Sequence, residues 1–140
     1  MTMPDAPSYR PIRVLHLEDS AVDHQLVHRA LVKSGLAFSM QRVETLQALE
    51  DSFHSSSFDV ILADYRLPGF TALDAWNIVL RLEQRPPFIL LSGAIGEPAA
   101  VAAIKLGMSD YLPKGELGKL AHVIQRAIEI QKAQIGRAHV

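Results

Sequence analysis

Short apolar runs alternate with amphipathic segments along most of this chain, beginning at residue 12. Five runs are rich in branched and aromatic side chains and are bounded by glycine, proline or polar residues, a pattern typical of short strands. The predicted strands are residues 12–17, 38–43, 58–64, 88–91 and 110–113. Because the third and fourth runs are mostly apolar rather than alternating, we expect those strands to be covered on both faces of a sheet.

The segments between the strands carry apolar residues three or four apart, which predicts five helices. Gly35 ends the first helix, Thr45 can cap the second, and Thr71 opens a capping-box-like start for the third. Pro98 suits the first position of the fourth helix, and the fifth is predicted from residue 116 onward. In the first helix the apolar residues at helical spacing are Val22, Leu26, Ala30 and Leu31.

Strands and helices that alternate in this order predict an α/β fold with a doubly wound, five-stranded parallel sheet. The strand order 2-1-3-4-5, with five helices on the two faces, is the common flavodoxin-like solution at this size. We expect one domain over residues 12–135, a flexible tail at residues 1–11 and a C-terminal tail at residues 136–140. This order places the first and third strands side by side.

The composition narrows the classes of function. The 140 residues contain no cysteine, which removes disulfide frameworks and thiolate sites and agrees with a reducing cytoplasm. The formal net charge is −1, so we expect neither nucleic acid nor an anionic membrane as a partner. No apolar run is long enough to span a bilayer, and residues 1–11 lack the features of a secretory signal. We therefore expect a soluble, cytoplasmic protein.

Polar residues end four of the predicted strands. Glu18 and Asp19 follow the first strand, Asp64 ends the third, Ser92 follows the fourth, and Lys114 follows the fifth. Each residue alone has a plainer explanation as a turn or capping residue. Together they would meet at one edge, because ligands in such sheets bind beyond the carboxyl ends of the strands. Three carboxylates there would repel one another unless a cation lay among them, and an all-oxygen site suits Mg²⁺.

This set of side chains has a definite chemistry. A carboxylate beside Mg²⁺ can attack phosphorus and form an acyl phosphate, while cations hold the transferring oxygens. Asp64 is the candidate nucleophile, Lys114 the candidate cation, and Ser92 a hydroxyl able to donate to a phosphoryl oxygen.

Four stretches of the chain carry a resemblance to a known family. They are residues 17–19 (LED), 62–69 (LADYRLPG), 91–94 (LSGA) and 107–114 (GMSDYLPK). These stretches closely resemble the receiver domain of two-component response regulators, in its single-domain, chemotaxis-regulator-like form. The resemblance covers nearly the whole chain from Ile12 to about Ile130.

The resemblance implies a role for each polar strand end. Asp64 would be the phosphoacceptor, with Mg²⁺ held by Glu18, Asp19, Asp64 and the backbone carbonyl of Arg66. Ser92 and Lys114 would contact the phosphoryl group. Tyr111 falls where the family places an aromatic switch residue, which turns inward when the hydroxyl residue moves toward the phosphate.

The resemblance also implies partners. We expect phosphorylation by a histidine kinase or a histidine phosphotransfer protein, and output to a downstream protein through the face made by helix 4, strand 5 and helix 5. The protein would not be an enzyme beyond Mg²⁺-dependent self-phosphorylation from a phosphodonor and slow autodephosphorylation. A broad apolar side of the last helix, which includes Val123, Ala127, Ile130 and Ile135, fits a homodimer, another partner surface, or a helix cut from a longer protein.

The sequence is compatible with several hypotheses about function. The leading one is a stand-alone receiver within a phosphorelay, since no sequence remains for an output domain. The alternatives are a phosphorylation-independent adaptor with the same fold and a receiver cut from a hybrid sensor kinase. A flavodoxin-like cofactor binder or small phosphatase is disfavoured, because acids rather than a glycine-rich phosphate loop follow the first strand.

Two residues near the predicted site, Gly115 and Arg66, and one pair of histidines carry further expectations. Gly115 follows Lys114 where most receivers have a proline with a cis peptide, so we expect a trans bond here. Arg66, two residues after the acceptor, could alter the lifetime of the acyl phosphate. His24 and His28 lie four residues apart on helix 1, where we expect a solvated helix face rather than a metal site, because a third ligand is missing.

Overall fold

The computed structural model describes residues 10–93 and 97–138. Its central sheet is parallel and has the order β2-β1-β3-β4-β5, which confirms the predicted fold. The strands are β1 (Ile12–Leu17), β2 (Phe38–Val43), β3 (Val60–Asp64), β4 (Phe88–Ser92) and β5 (Asp110–Pro113). The helices are α1 (Ala21–Ser34), α2 (Leu46–Ser55), α3 (Ala72–Val79), α4 (Glu97–Lys105) and α5 (Leu120–Ala138). A two-stranded hairpin, Arg66–Leu67 with Phe70–Thr71, follows β3.

Local signals place the ends of the first three helices. The Ser20 hydroxyl accepts the amide of Asp23 to cap α1, and Thr45 caps α2 in the same way. Thr71 forms a complete capping box at the start of α3. Gly35 ends α1 at φ 82°, a backbone conformation that costs glycine little.

Alternate residues of the strands face opposite ways and build two cores. Leu15 and Ile61 face the side covered by α2, α3 and α4, whereas Val14 and Leu62 face α1 and α5. All four are buried, and each contributes roughly 1.5–3 kcal/mol by leaving water. Because the central strands are covered on both faces, the strand ends are where polar side chains can gather.

The orientation of α1 differs from what its spacing alone indicates. Val27 and Leu31 are buried, but Val22 is 66% exposed and Leu26 is 47% exposed. Positions 22 and 26 and positions 27 and 31 are both four apart, so the sequence contains two overlapping stripes. Packing against α5 selects the second stripe and leaves the first in contact with solvent.

The start of the last helix also differs from the prediction. Residues Lys114–Lys119 form a 3₁₀ segment with a non-helical break at Glu116, and α5 begins only at Leu120. Gly115 and Gly118 lie in this segment and lower its helix propensity, which explains the delay. No peptide bond among the described residues is cis, so the trans bond expected before Gly115 is confirmed.

The start of α4 and the end of α5 also differ from the prediction. Pro98 is the second residue of α4 rather than its first. α5 continues to Ala138, beyond residue 135 where we expected the domain to end. Of the tail expected at residues 1–11, only Arg10 and Pro11 are described. None of the described helices combines the length and apolar character that a membrane crossing requires.

Candidate functional site

The sheet register brings the polar strand ends to one edge. Leu17 pairs with Ala63, Asp64 pairs with Leu91, and Ser92 pairs with Pro113. The residues that follow these positions therefore gather beyond the carboxyl ends of β1, β3, β4 and β5, as the sequence predicted. We call this region the carboxyl edge; it comprises Glu18, Asp19, Asp64, Ser92 and Lys114.

Three acids form a tight cluster at the carboxyl edge. One carboxylate oxygen from each of Glu18, Asp19 and Asp64 lies within 4.8 Å of the others. Glu18 is buried, at 1% exposure, and its Oε2 accepts a hydrogen bond of 3.2 Å from the Ser20 amide. The side chain of Asp64 is 14% exposed, so it remains reachable from solvent.

Lys114 crosses from the end of β5 to these acids. Its Nζ lies 3.1 Å from Glu18 Oε1 and 3.2 Å from Asp64 Oδ2. A third carboxylate, that of Asp23 on α1, lies 2.8 Å away. The side chain of Lys114 is 22% exposed, and Gly93 adjoins its stem, because a Cβ on Gly93 would come within 4.0 Å of Lys114 Cδ.

The charge states follow from this crowding. Burial raises the pKa of Glu18 to about 6, assisted by the charge of Asp64 and opposed by hydrogen bonds from Lys114 and Ser20. Burial alone would lower the pKa of Lys114, but hydrogen bonds to Asp23 and Glu18 and the charges of Glu18 and Asp64 raise it. Lys114 is therefore a permanent cation near neutral pH.

The donor set fits a hard divalent cation. Glu18, Asp19 and Asp64 offer only oxygen ligands, and the ammonium of Lys114 does not neutralise all of the surrounding carboxylates. Among the described residues this is the one group of three or more potential metal-ligating side chains whose ligand atoms come this close. Carboxylate oxygens with room for water are the environment that Mg²⁺ prefers.

Arg42 supports the loop that carries the acids, and sequence reasoning missed it. It pairs with His16 in the register of β1 and β2, close to the carboxyl end of the sheet. Its Nη1 donates to the backbone carbonyl of Glu18 at 3.2 Å and to that of Asp19 at 3.4 Å. A basic residue near the end of β2 was the available signal, but its reach across to β1 depends on the register.

Ser92, Tyr111 and Arg66 are placed by the strands that hold them. Ser92 is buried as the last residue of β4, and Tyr111 on β5 is half-buried against the core under α3 and α4. Arg66 is exposed in the hairpin directly after β3. Tyr65, which precedes the hairpin, donates its amide to the Leu91 carbonyl at 3.2 Å and accepts the amide of Ala72, which follows the hairpin, at 2.8 Å.

The histidine pair differs from the expected solvated face. His24 is half-buried, and its Nδ1 lies 2.9 Å from Nδ1 of His16, a fully buried residue of β1. Burial, followed by the charges of His24, Lys114 and Arg42, lowers the pKa of His16 to about 3. His28 is exposed and packs its ring against Phe38. The cationic side chains of Lys114 and Arg42 act on His16, so the pair of His16 and His24 is an unfavourable site for a metal ion.

A comparison with protein families decides the identity. The response regulator receiver domain family matches residues 14–125. The chain belongs to this family. Receiver domains are modules of two-component systems that generally bind Mg²⁺ at an acidic pocket, and this chain has a cluster of three acids, Glu18, Asp19 and Asp64.

Individual relatives agree with this assignment. The DNA-binding transcriptional regulator NtrC of Escherichia coli K12 is 30% identical over 124 residues, covering 84% of this chain and 25% of NtrC. The transcriptional regulatory protein FixJ of Bradyrhizobium diazoefficiens is 31% identical over 116 residues, covering 80% of this chain and 54% of FixJ. This receiver thus spans about a quarter of NtrC and about half of FixJ.

A solved structure supports the fold independently. The chemotaxis response regulator CheY4 of Vibrio cholerae superposes with a TM-score of 0.72 at 20% identity. The match covers 84% of this chain and 99% of the CheY4 chain. At this identity the likeness shows the receiver fold and nothing finer.

Proposed function

We propose that Asp64 accepts a phosphoryl group from a histidine kinase or a histidine phosphotransfer protein, and that its phosphorylation switches a partner-binding surface. One observation carries the proposal. Asp64 is a solvent-reachable carboxylate that lies 3.2 Å from the ammonium of Lys114 and has oxygens of Glu18 and Asp19 within 4.8 Å. A carboxylate that only capped a turn would not need a lysine and two further acids beside it.

The transfer is a displacement at phosphorus. A carboxylate oxygen of Asp64 forms a bond to phosphorus as the bond between phosphorus and the donor histidine nitrogen breaks, and the imidazole leaves with that electron pair. Glu18, Asp19, Asp64 and the backbone carbonyl of Arg66 would hold Mg²⁺, which supplies neutralisation of phosphoryl charge when bound. Lys114 and Ser92 stabilise the phosphoryl oxygens through an ammonium and a hydroxyl. We place the exchange in the cytoplasm, because a chain without cysteine agrees with a reducing compartment.

The switch follows from the added charge. Phosphorylation replaces one negative charge with nearly two and adds acceptor oxygens, which attract Ser92 and Lys114. Tyr111 then occupies the space beside β4, and the face of α4, β5 and α5 changes. Exposed apolar residues on or beside α4 and α5 support a protein partner or a second copy there. They are Val101, Ile104, Leu106 and Ile130.

Labelling of Asp64 tests the proposal. The protein is incubated with Mg²⁺ and acetyl phosphate, and intact mass spectrometry measures whether one phosphoryl group is added. We expect an adduct that is stable in acid, is released by base and is absent from Asp64→Asn. Asp51→Asn is the matched control, because Asp51 is an exposed acid on α2 that bonds only Gln47 among the contacts described. An unlabelled wild type, or equal labelling of Asp64→Asn, would refute the assignment.

A further inference from the structure

Asp23 is an acid that lies beside the carboxyl edge but is supplied by a helix rather than by a strand end. It lies in the first turn of α1, and its side chain is 37% exposed. Its Oδ2 is 2.8 Å from Lys114 Nζ, which is shorter than the contacts of 3.1 Å to Glu18 and 3.2 Å to Asp64. The closest carboxylate to the ammonium is therefore outside the acid cluster of Glu18, Asp19 and Asp64.

The cap of α1 does not explain this carboxylate. An acid three residues after the N-cap commonly accepts the N-cap amide and completes a capping box. Here Glu18 accepts the Ser20 amide, while the Asp23 amide donates to the Ser20 hydroxyl at 3.1 Å. The cap thus uses the backbone of Asp23 and leaves its side chain to Lys114.

The ammonium of Lys114 has three N–H donors and faces three carboxylates. Hydrogen bonds run to Glu18 and Asp23, and an ion pair joins it to Asp64. A phosphoryl group on Asp64 would need N–H donors from the same ammonium. An N–H group of Lys114 that remains hydrogen-bonded to Asp23 is not available to the phosphoryl oxygens.

We propose that Asp23 is a positioning residue that holds Lys114 toward α1 and competes with the phosphoryl group on Asp64 for its N–H donors. The competition stabilises the unphosphorylated state and so sets how readily the receiver is switched on. This inference rests on the proposed phosphoacceptor role of Asp64 and deepens it by naming a residue that regulates the same site.

The first test needs no metal and no phosphoryl donor. An ¹H–¹⁵N spectrum tuned to lysine ammonium groups detects those whose protons exchange slowly because they are held in hydrogen bonds. We expect a Lys114 signal in the wild type and in the control Asp51→Asn, partial recovery in Asp23→Glu, and strong broadening in Asp23→Asn and Asp23→Ala. A wild type without this signal, or a signal unchanged by Asp23→Asn and Asp23→Ala, would overturn the proposal.

The second test measures the competition itself. Beryllofluoride, a phosphoryl analogue, is titrated at saturating Mg²⁺ and its dissociation constant is measured by calorimetry. We expect Asp23→Asn to tighten binding by about three- to tenfold, as for loss of one partly exposed competing ion pair. Asp51→Asn should not change it, and Asp23→Glu should return it toward the wild-type value.

A double-mutant cycle separates positioning from a general charge effect. If Asp23 acts through Lys114, Asp23→Asn should have no effect on beryllofluoride affinity in a Lys114→Met background. Equal tightening in both backgrounds would show plain electrostatic repulsion and overturn the positioning role. Unchanged affinity in Asp23→Asn alone would also overturn it.

The tests also distinguish this inference from the proposed function. If Asp64 is not a phosphoacceptor, acetyl phosphate leaves the wild type unlabelled while the ammonium spectra still report whether Asp23 holds Lys114. If Asp64 is labelled but Asp23→Asn changes neither the spectrum nor the affinity, the proposed function stands and the inference about Asp23 fails.

Discussion

Asp59 at the amino end of the sheet and Asp64 at the carboxyl end belong to the same stretch of chain but have opposite surroundings. Asp59 accepts the Arg13 amide at 2.8 Å and pairs with the side chains of Arg13 and Arg10. Asp64 instead shares the single ammonium of Lys114 with other acids. One end of the sheet has its negative charge matched by cations, and the other has an excess of it.

The pKa directions express this difference. Burial works against ionisation of Asp59, but the hydrogen bonds and charges from Arg13 and Arg10 hold its pKa below the usual value. Burial and the neighbouring Asp64 raise the pKa of Glu18 to about 6 despite its bond to Lys114. A matched acid stabilises the fold, whereas unmatched acids at a strand end leave an excess of negative charge that a cation could balance.

The largest difference should appear when variants of Asp64 and Asp59 are compared in the same labelling assay. We expect Asp64→Asn to lose more than about 100-fold in labelling rate by acetyl phosphate, since the nucleophile is removed. Asp59→Ala should label at the wild-type rate once the folded fraction is taken into account. Mass spectrometry over time measures both. Comparable losses in the two variants would contradict the division between a functional and a structural end.

The second prediction concerns stability at the amino end. Asp59→Ala leaves the backbone amide and the Nε of Arg13 without their acceptor, so we expect it to lower the free energy of unfolding by about 1–3 kcal/mol at pH 7. Urea unfolding, monitored by circular dichroism, measures this loss. Asp51→Asn serves as the exposed control and should change stability little.

The pH dependence of that loss has a definite sign. Because the folded pKa of Asp59 is lowered, its stabilisation is complete above the unfolded value of about 3.9 and disappears as pH falls through the folded pKa. The stability difference between wild type and Asp59→Ala should therefore be constant from pH 7 to about pH 5 and shrink in stronger acid. A difference that grows with acidification would contradict the ion-pair explanation.

Metal addition should act at the opposite end. If Mg²⁺ binds the folded carboxyl edge, a concentration ten times its dissociation constant should stabilise the protein by about 1.4 kcal/mol. Thermal unfolding with and without Mg²⁺ measures the gain. Asp19→Asn should reduce it, Asp51→Asn should not, and chelation should reverse it. An equal gain in Asp19→Asn would move the metal away from these acids.

The smallest expected effect belongs to Arg66. Its exposed side chain lies in the hairpin after Asp64, where a guanidinium can contact a phosphoryl oxygen or obstruct water. We expect Arg66→Ala to change the dephosphorylation rate of labelled protein by about two- to tenfold, as for one exposed charge-assisted contact. Arg29→Ala, an exposed arginine on α1, provides a control. An unchanged lifetime would remove Arg66 from the site.

The order of the strands and the gathering of Asp64 with Glu18, Asp19 and Lys114 could be predicted from the sequence. Buried parallel strands require nearly continuous apolar runs, so the strands are visible, and right-handed crossovers leave few orders for them. Once the strands are parallel, their carboxyl ends must share an edge. The residue at the end of each apolar run is then a candidate for the site, whatever the details of packing.

The tertiary structure alone determined which side chains of the helices surround the carboxyl edge of the sheet. α1 presents Val27 and Leu31 rather than Val22 and Leu26 to the core, because packing against α5 selects one of two stripes that the sequence permits equally. The same orientation brings Asp23 within 2.8 Å of Lys114, although the two residues are far apart in sequence. Periodicity determines that a helix forms, but its rotation about its own axis, and so the partners of its side chains, depends on the neighbours that bury it.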